Sequence, residues 1–534
     1  MPDDLSGWQP PRPDAGARVW GAAASSPGHG AREAQVGQRA PQPSPGPAVD
    51  AAGPGDRGRP GRWRRASGAA RLGSAYVGLI VVAALVAVGG LAATPRYGEG
   101  TAWGGTTVDD LRRAPGATSW SVDLAAALAP AVPRGCLHLW PSEAVDGLVA
   151  VGSSVDLDVG SPADGTGCRD AAAADPSSRV ALVDVTAGRV VWVHDLALEV
   201  AGTDPLSIPS SQVVPSAGRV LVQTQTTGST VLVALDLAEG RVLESTRGRR
   251  DLPSVSVATS GRLQLRTSTA LGDSGGRYSL VDAGDLDHPV WEGRADVGTA
   301  PLLLPDGLVV VSRERARRVD GRTGQERPFG AAPDVVAVSP ADPGTVYALG
   351  RRLGGARTVS ALDRSGEAAW SAPTGSRGLA VTPRCVVTTG RLDTAATCLD
   401  RRDGSTAWTT DLGGAFSVEA VPGQVGDDVY AVVQRDGDAA LAALSGDDGH
   451  VRFRTPVGQL DTVVAASRTV VYLGTDDARS FPRGITAFDA ATGAELWTYR
   501  SPGTVSFWGG ALVSIDDRGV ARRLVDDTAV GRTS

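Results

Sequence analysis

A turn signal that returns about every 44 residues constrains this chain more than any other feature. In its fullest form a strand ends on an apolar residue followed by Asp, with Gly four residues on and Trp four after that. The copies are Asp184, Gly188 and Trp192; Asp400, Gly404 and Trp408; and Asp489, Gly493 and Trp497. Asp363, Gly366 and Trp370 form a copy one residue shorter. Degenerate copies stand at Asp236 with Gly240, Asp282 with Trp291, Asp320 with Gly324, and Ser445 with Gly449 and Phe453. Each residue type has a local task. Asp satisfies backbone N–H groups through an Asx-turn, Gly takes the positive φ of a hairpin, and Trp opens the next strand as a packing plug. These Trp are read as packing between repeats, not as platforms for a ligand. The sequence has no Asn, so Asn-Gly turns are absent and turns rest on Asp and Gly.

The starts of the eight copies lie 37 to 52 residues apart, enough for four short strands and their turns. Between them run β-branched stretches such as Arg219–Gln223 and Gly307–Val311, and no long helical period. The expected fold is all-β: a β-propeller of about eight four-stranded blades, with seven to nine allowed. Thr504–Trp508, Ala511–Ile515 and Val520–Leu524 supply three strands without a fourth, while Ser119–Leu124 reads like the outer strand Trp408–Leu412. A blade shared between the two ends would pair them and leave no free sheet edge. Counted as an extra blade, it makes nine.

The N-terminal part differs. Residues 1 to 65 hold eleven Pro and eleven Gly without apolar periodicity, and residues 1 to 71 carry ten Arg against six acids. They read as a disordered cytoplasmic tail. Residues 72 to 94 are uncharged over a length that spans a hydrocarbon core, which predicts a transmembrane helix. Arg57, Arg59, Arg62, Arg64, Arg65 and Arg71 precede it and Arg96 follows, so the N-terminus is expected in the cytoplasm and the rest outside it. A cleaved signal peptide near Ala92 and Ala93 is the rival reading, but leader and apolar run both exceed its usual size. Residues 95 to 115 read as a stalk, 116 to 528 as the propeller, and 529 to 534 as a C-terminal tail.

The stretch Ala487–Trp497 is a complete match to A-x-D-x-x-T-G-x-x-x-W, and over residues 116 to 528 the chain resembles the pyrroloquinoline-quinone-like β-propeller repeat family. The resemblance implies a fold first. Some members are quinoprotein dehydrogenases; others, similar to an outer-membrane assembly lipoprotein, are cofactor-free scaffolds. The dehydrogenases use calcium held by a carboxylate and an Asn amide, an Asp base and often a disulfide between adjacent Cys. This chain has no Asn and no adjacent Cys pair, so two of those parts are missing and the cofactor-free branch is the expected one.

Four Cys in an exported region suggest disulfides. Cys385 and Cys398 flank a strand-turn-strand pattern, and a hairpin centred between Arg391 and Leu392 would set them directly opposite each other. Cys136 and Cys168 are then partners by elimination, tying down an insertion from about Asp156 to Ser178 in the first blade. The five His, at 29, 138, 194, 288 and 450, are scattered without metal-ligand spacing, and no G-x-S-x-G elbow points to a hydrolase. Asp156–Gly160 lacks the Gly and Glu positions of a calcium loop. No catalytic, cofactor or metal residue is assigned.

A net charge of −7 argues against a nucleic-acid partner. The expected function is a non-enzymatic, membrane-anchored binding or scaffold module of the cell envelope, taking a protein or peptide through loops such as the blade-one insertion. The alternatives are a calcium- and quinone-dependent dehydrogenase, and a sensor signalling through the tail near Ser67.

Overall fold

The computed structural model describes residue 95 and residues 97–526. Excepted are 156–178, 197–204, 227–229, 247–254, 269–276, 296–300, 313–314, 331–332, 340–341, 352–356, 390–393, 419–420 and 476–481. The expected tail and transmembrane segment, 1–71 and 72–94, lie outside the described residues, as does the C-terminal tail. Among the described residues no helix is long and apolar enough to cross a membrane.

From Tyr97 onward the chain is one compact unit. Among its described residues, nine four-stranded antiparallel blades follow one another. Blades 1 to 4 span Leu137–Asp195, Pro205–Ser245, Val255–Arg294 and Leu302–Pro328. Blades 5 to 8 span Pro333–Thr374, Gly378–Asp411, Ala415–Val457 and Thr462–Arg500. Blade 9 takes three strands from Thr504–Val525 and its outer strand, Ala117–Asp123, from the other end of the chain. That strand runs antiparallel to Val520–Val525, from Ala117 opposite Val525 to Asp123 opposite Val520. The eight motif copies belong to blades 1 to 8, so the shared blade is an additional one and the count is nine, within the expected seven to nine.

Burial explains why the units stack. Second strands such as Gly307–Val311 and Ala511–Ile515 are buried along their whole length, as their mostly apolar sequences require, with Ser514 the polar exception, hydrogen-bonded to Ser501. Outer strands alternate instead. In Thr406–Asp411 and Glu495–Arg500 the one fully buried residue is the motif Trp, Trp408 or Trp497. The core is a series of apolar clusters, most of them shared by two neighbouring blades. One cluster joins Leu182 of blade 1 to Val222 of blade 2, another Tyr430 of blade 7 to Val471 of blade 8. The ring closes where Trp508 and Val513 of blade 9 pack on Val149 and Val183 of blade 1.

Cys385 and Cys398 form a disulfide within blade 6, with a Cα separation of 5.2 Å. Their register differs from the expected one. Cys385 stands opposite Asp400 and Cys398 opposite Val387, so the bridge runs diagonally across the strand pair. The hairpin is centred one residue later than its sequence suggests, and a shift of one in the centre moves every pair by two. Cys136 is also disulfide-bonded; the expected partner, Cys168, lies outside the described residues.

Candidate functional site

The repeat-motif side chains face the neighbouring blade. Asp489 Oδ1 accepts hydrogen bonds from the backbone N–H groups of Ala491 (3.0 Å) and Thr492 (2.9 Å), and Asp184 and Asp236 cap their turns the same way. The Gly then turns through positive φ, 64° at Gly188, 73° at Gly404 and 69° at Gly493. With no Cβ, it lets the aromatic ring of the preceding blade lie against the turn: Trp120 on Gly188, Trp192 on Gly240, Trp370 on Gly404, Trp408 on Gly449 and Phe453 on Gly493. The indole N–H donates to the carbonyl one residue past the motif Asp or Ser. The pairs are Trp120 to Val185 (2.8 Å), Trp192 to Leu237 (3.0 Å), Trp370 to Arg401 (3.0 Å) and Trp408 to Gly446 (3.0 Å). Trp291 donates to Glu326 Oε1 (2.7 Å) instead. These residues hold blades together.

Trp497 breaks the pattern. The next blade is the shared one, whose third and fourth strands come from opposite chain ends, so no Asp-Gly turn joins them. Trp497 donates to the carbonyl of Leu111 (2.7 Å), in the segment expected to be a stalk. That segment lies on the propeller and buries Trp103, Val108 and Leu111. Residues 97–112 form an Ω-shaped strap. Tyr97 Oη and Arg112 Nη2 both donate to Asp489 Oδ2, each at 2.7 Å, and Arg112 Nη1 donates to Tyr97 Oη (2.8 Å). At the far turn Trp103 enters the cluster between blades 5 and 6, under the Arg401 guanidinium 5.5 Å from its ring centre, and its backbone N–H donates to Gln424 O (2.7 Å). Burial pulls the Asp489 carboxyl up, but the hydrogen bonds from Arg112, Tyr97 and Thr492 outweigh it and hold it below the usual carboxylate range. The signal for this strap was present in Trp103 and the pair Val108 and Leu111, apolar residues out of place in a solvated stalk.

In an antiparallel blade the turns joining strands 1 to 2 and 3 to 4 lie at one end, and the remaining connections at the other. The strap occupies the first face, touching the turns at Asp489, Thr469 and Gly510. A polar cleft of about 120 Å³ lies beside it, lined by Asp109, Thr186, Gly509, Gly510 and Arg523 among others. The opposite face carries the helix Leu124–Leu128, held by Gly519 O accepting from the N–H groups of Leu124 and Ala125, and the disulfide-bonded Cys136. It also carries Leu460, 61% exposed. The two strands that flank the insertion 156–178, ending at Val155 and beginning at Arg179, have those ends on this same face; the insertion itself, the candidate binding loop, lies outside the described residues.

Among the described residues no three His, Cys, Asp or Glu side chains group closely enough to hold a metal, and the cleft is well under the roughly 300–1,000 Å³ of ordinary small-molecule pockets. His288 pairs with Asp285 at 3.0 Å but is 83% exposed, and His138 packs against Trp140 with ring centres 4.1 Å apart and the rings tilted by 49°. Arg266 is buried between blades 2 and 3, donating to Gln264 Oε1 (2.9 Å) and Leu286 O (3.2 Å). Burial pushes its guanidinium down to about 10 against the opposing pull of Glu244 and Asp287.

Over residues 355–501, which take in motif copies from blades 5 to 8, the chain matches the family model described as outer membrane protein assembly factor BamB. No curated protein matches the chain. Similar solved structures include the quinohemoprotein alcohol dehydrogenase from Comamonas testosteroni, 12% identical, covering 77% of this chain and 74% of that one at a TM-score of 0.32. The dihydro-heme d1 dehydrogenase NirN is 15% identical, with 61% and 74% covered at 0.31. A eukaryotic initiation factor is 9% identical, with 68% and 87% covered at 0.43. At these scores the likenesses decide nothing about activity.

Proposed function

We propose that the chain is a single-pass, membrane-anchored propeller displayed outside the cytoplasm, where it acts as a non-enzymatic binding or scaffold module for an envelope protein or peptide. The observation that carries this reading is the deployment of the motif side chains. The aromatics of the repeat dock on the next blade, and the strap covers part of one face, which favours the loops on the other face for meeting a partner. The match of residues 355–501 to an assembly-factor family supports the same class of function, and a rigid scaffold presenting loops needs no catalytic constellation. The cofactor-free branch is supported by the absence of Asn and of an adjacent Cys pair from the sequence. The apolar, uncharged stretch 72–94 with its preceding Arg cluster supports the anchor.

The test is a titration of the full chain in detergent with pyrroloquinoline quinone and calcium, followed by Trp fluorescence and a dye-linked alcohol or sugar oxidation assay. The expected outcome is neither saturable binding nor turnover. Saturable micromolar binding with turnover would overturn the scaffold reading in favour of a quinone-dependent dehydrogenase.

A further inference from the structure

We propose that residues 97–112 are a clasp that guards the seam of the ring. The seam is where the two chain ends meet, in the pairing of Ala117–Asp123 with Val520–Val525. Like other outer strands, Ala117–Asp123 buries a single residue, here Val122, and its register shifts between Thr118 and Trp120. At five other joints a motif turn, continuous with its own blade, receives the aromatic ring of the blade before it. At the seam that turn does not exist, and Leu111 supplies the missing carbonyl to Trp497.

The clasp also fastens the N-terminal part of the domain to its C-terminal part independently of the shared blade. Its two ends meet on one carboxylate of blade 8, Asp489 Oδ2. Between those ends, Asp110 Oδ1 accepts from Thr469 Oγ1 (2.7 Å) and the Thr469 N–H (3.2 Å), and Asp109 holds Arg523 of blade 9 at 3.2 Å. The Asp109 N–H donates to Gly510 O (2.8 Å), and the Leu111 N–H to Tyr472 Oη (2.8 Å). Only four residues separate Arg112 from the outer strand. A pull on the chain before Tyr97 therefore reaches the buried Asp489 carboxylate before it reaches the seam. Loss of the clasp leaves Trp497 without its acceptor and the outer strand held only by its ladder and by the docking of Trp120 on blade 1. Asp489 thus has two roles: Oδ1 caps its own turn, as in other blades, and Oδ2 holds the clasp.

Amide hydrogen exchange of the full chain, read by mass spectrometry, tests this. Tyr97→Phe combined with Arg112→Gln removes both clasp donors and leaves the Asp489 turn cap intact. The expected result is exchange at least about ten-fold faster in residues 98–111 and, with it, in Ala117–Asp123 and Val520–Val525, while Ala395–Asp400 of blade 6 is unchanged. Faster exchange in 98–111 with an unaltered seam would overturn the proposal, as would no change in 98–111. If the double variant unfolds, shown by faster exchange in blade 6 as well, Arg112→Gln alone is read by the same criteria. Asp400→Asn, which removes a turn cap far from the strap, is expected to leave the seam as it is.

Discussion

At the residue scale the joint between blades turns on a missing Cβ. At Gly240 a Cβ would come within 2.6 Å of the Trp192 ring, and the backbone there is at φ 70°, where an L-residue is strained. Gly240→Ala is expected to lower stability by about 2–4 kcal/mol through overpacking and strain together. Gly375→Ala, in open space with no positive φ, should be nearly neutral. Denaturant unfolding of both variants checks the contrast. Asp489 sets a second expectation. Its folded pKa is depressed, so the stability it contributes is present above the unfolded carboxylate value of about 3.9 and is lost as pH falls through the lower folded value. Strap protection should hold from about pH 7 to about pH 5 and fall only in stronger acid. In Asp489→Asn the strap should exchange faster at neutral pH and have no acid-sensitive phase; an acid phase unchanged in the variant would assign it to another group.

At the scale of elements, the outer strand and the hairpin show how much could be read in advance. The Asp, Gly and Trp spacing was legible because each residue does a local job, and the shared blade was legible because three terminal strands lacked a fourth. The hairpin register at Cys385 was not, since strand identity survives a one-residue change in the turn while cross-strand pairing does not. The strap was missed for a related reason. It has no period of its own, and its apolar residues find their partners only in distant blades, as Trp103 does at Tyr347 and Leu379. Two substitutions test these elements. Replacing both Cys385 and Cys398 by Ser opens a loop closed over a sequence separation of 13 and is expected to cost about 3 kcal/mol, read from denaturation with and without reductant. Trp497→Phe keeps most of the apolar ring but leaves Leu111 O without its donor, for about 1–3 kcal/mol. It should loosen the strap, whereas Trp408→Phe, losing the bond to Gly446 O, should not.

At the scale of the whole molecule, nine blades in a ring make a scaffold with two unlike faces. One is covered in part by the protein's own strap. The other gathers the helix Leu124–Leu128, the bonded Cys136 and the exposed Leu460. Fold alone assigns no ligand, because function lies in the loops a scaffold presents, and here the loop selected by sequence, 156–178, lies outside the described residues. The scaffold account nevertheless makes a directional claim: a partner meets the loop face. The most direct measurement is face-resolved photo-crosslinking of the full chain in its membrane. A photoreactive residue replaces Leu460 or Asp517 on the loop face, or Glu239 or Thr323 on the turn face. The account predicts one discrete protein adduct from the loop-face positions and none from the turn face. Adducts of equal yield from both faces, or none from either, would contradict it.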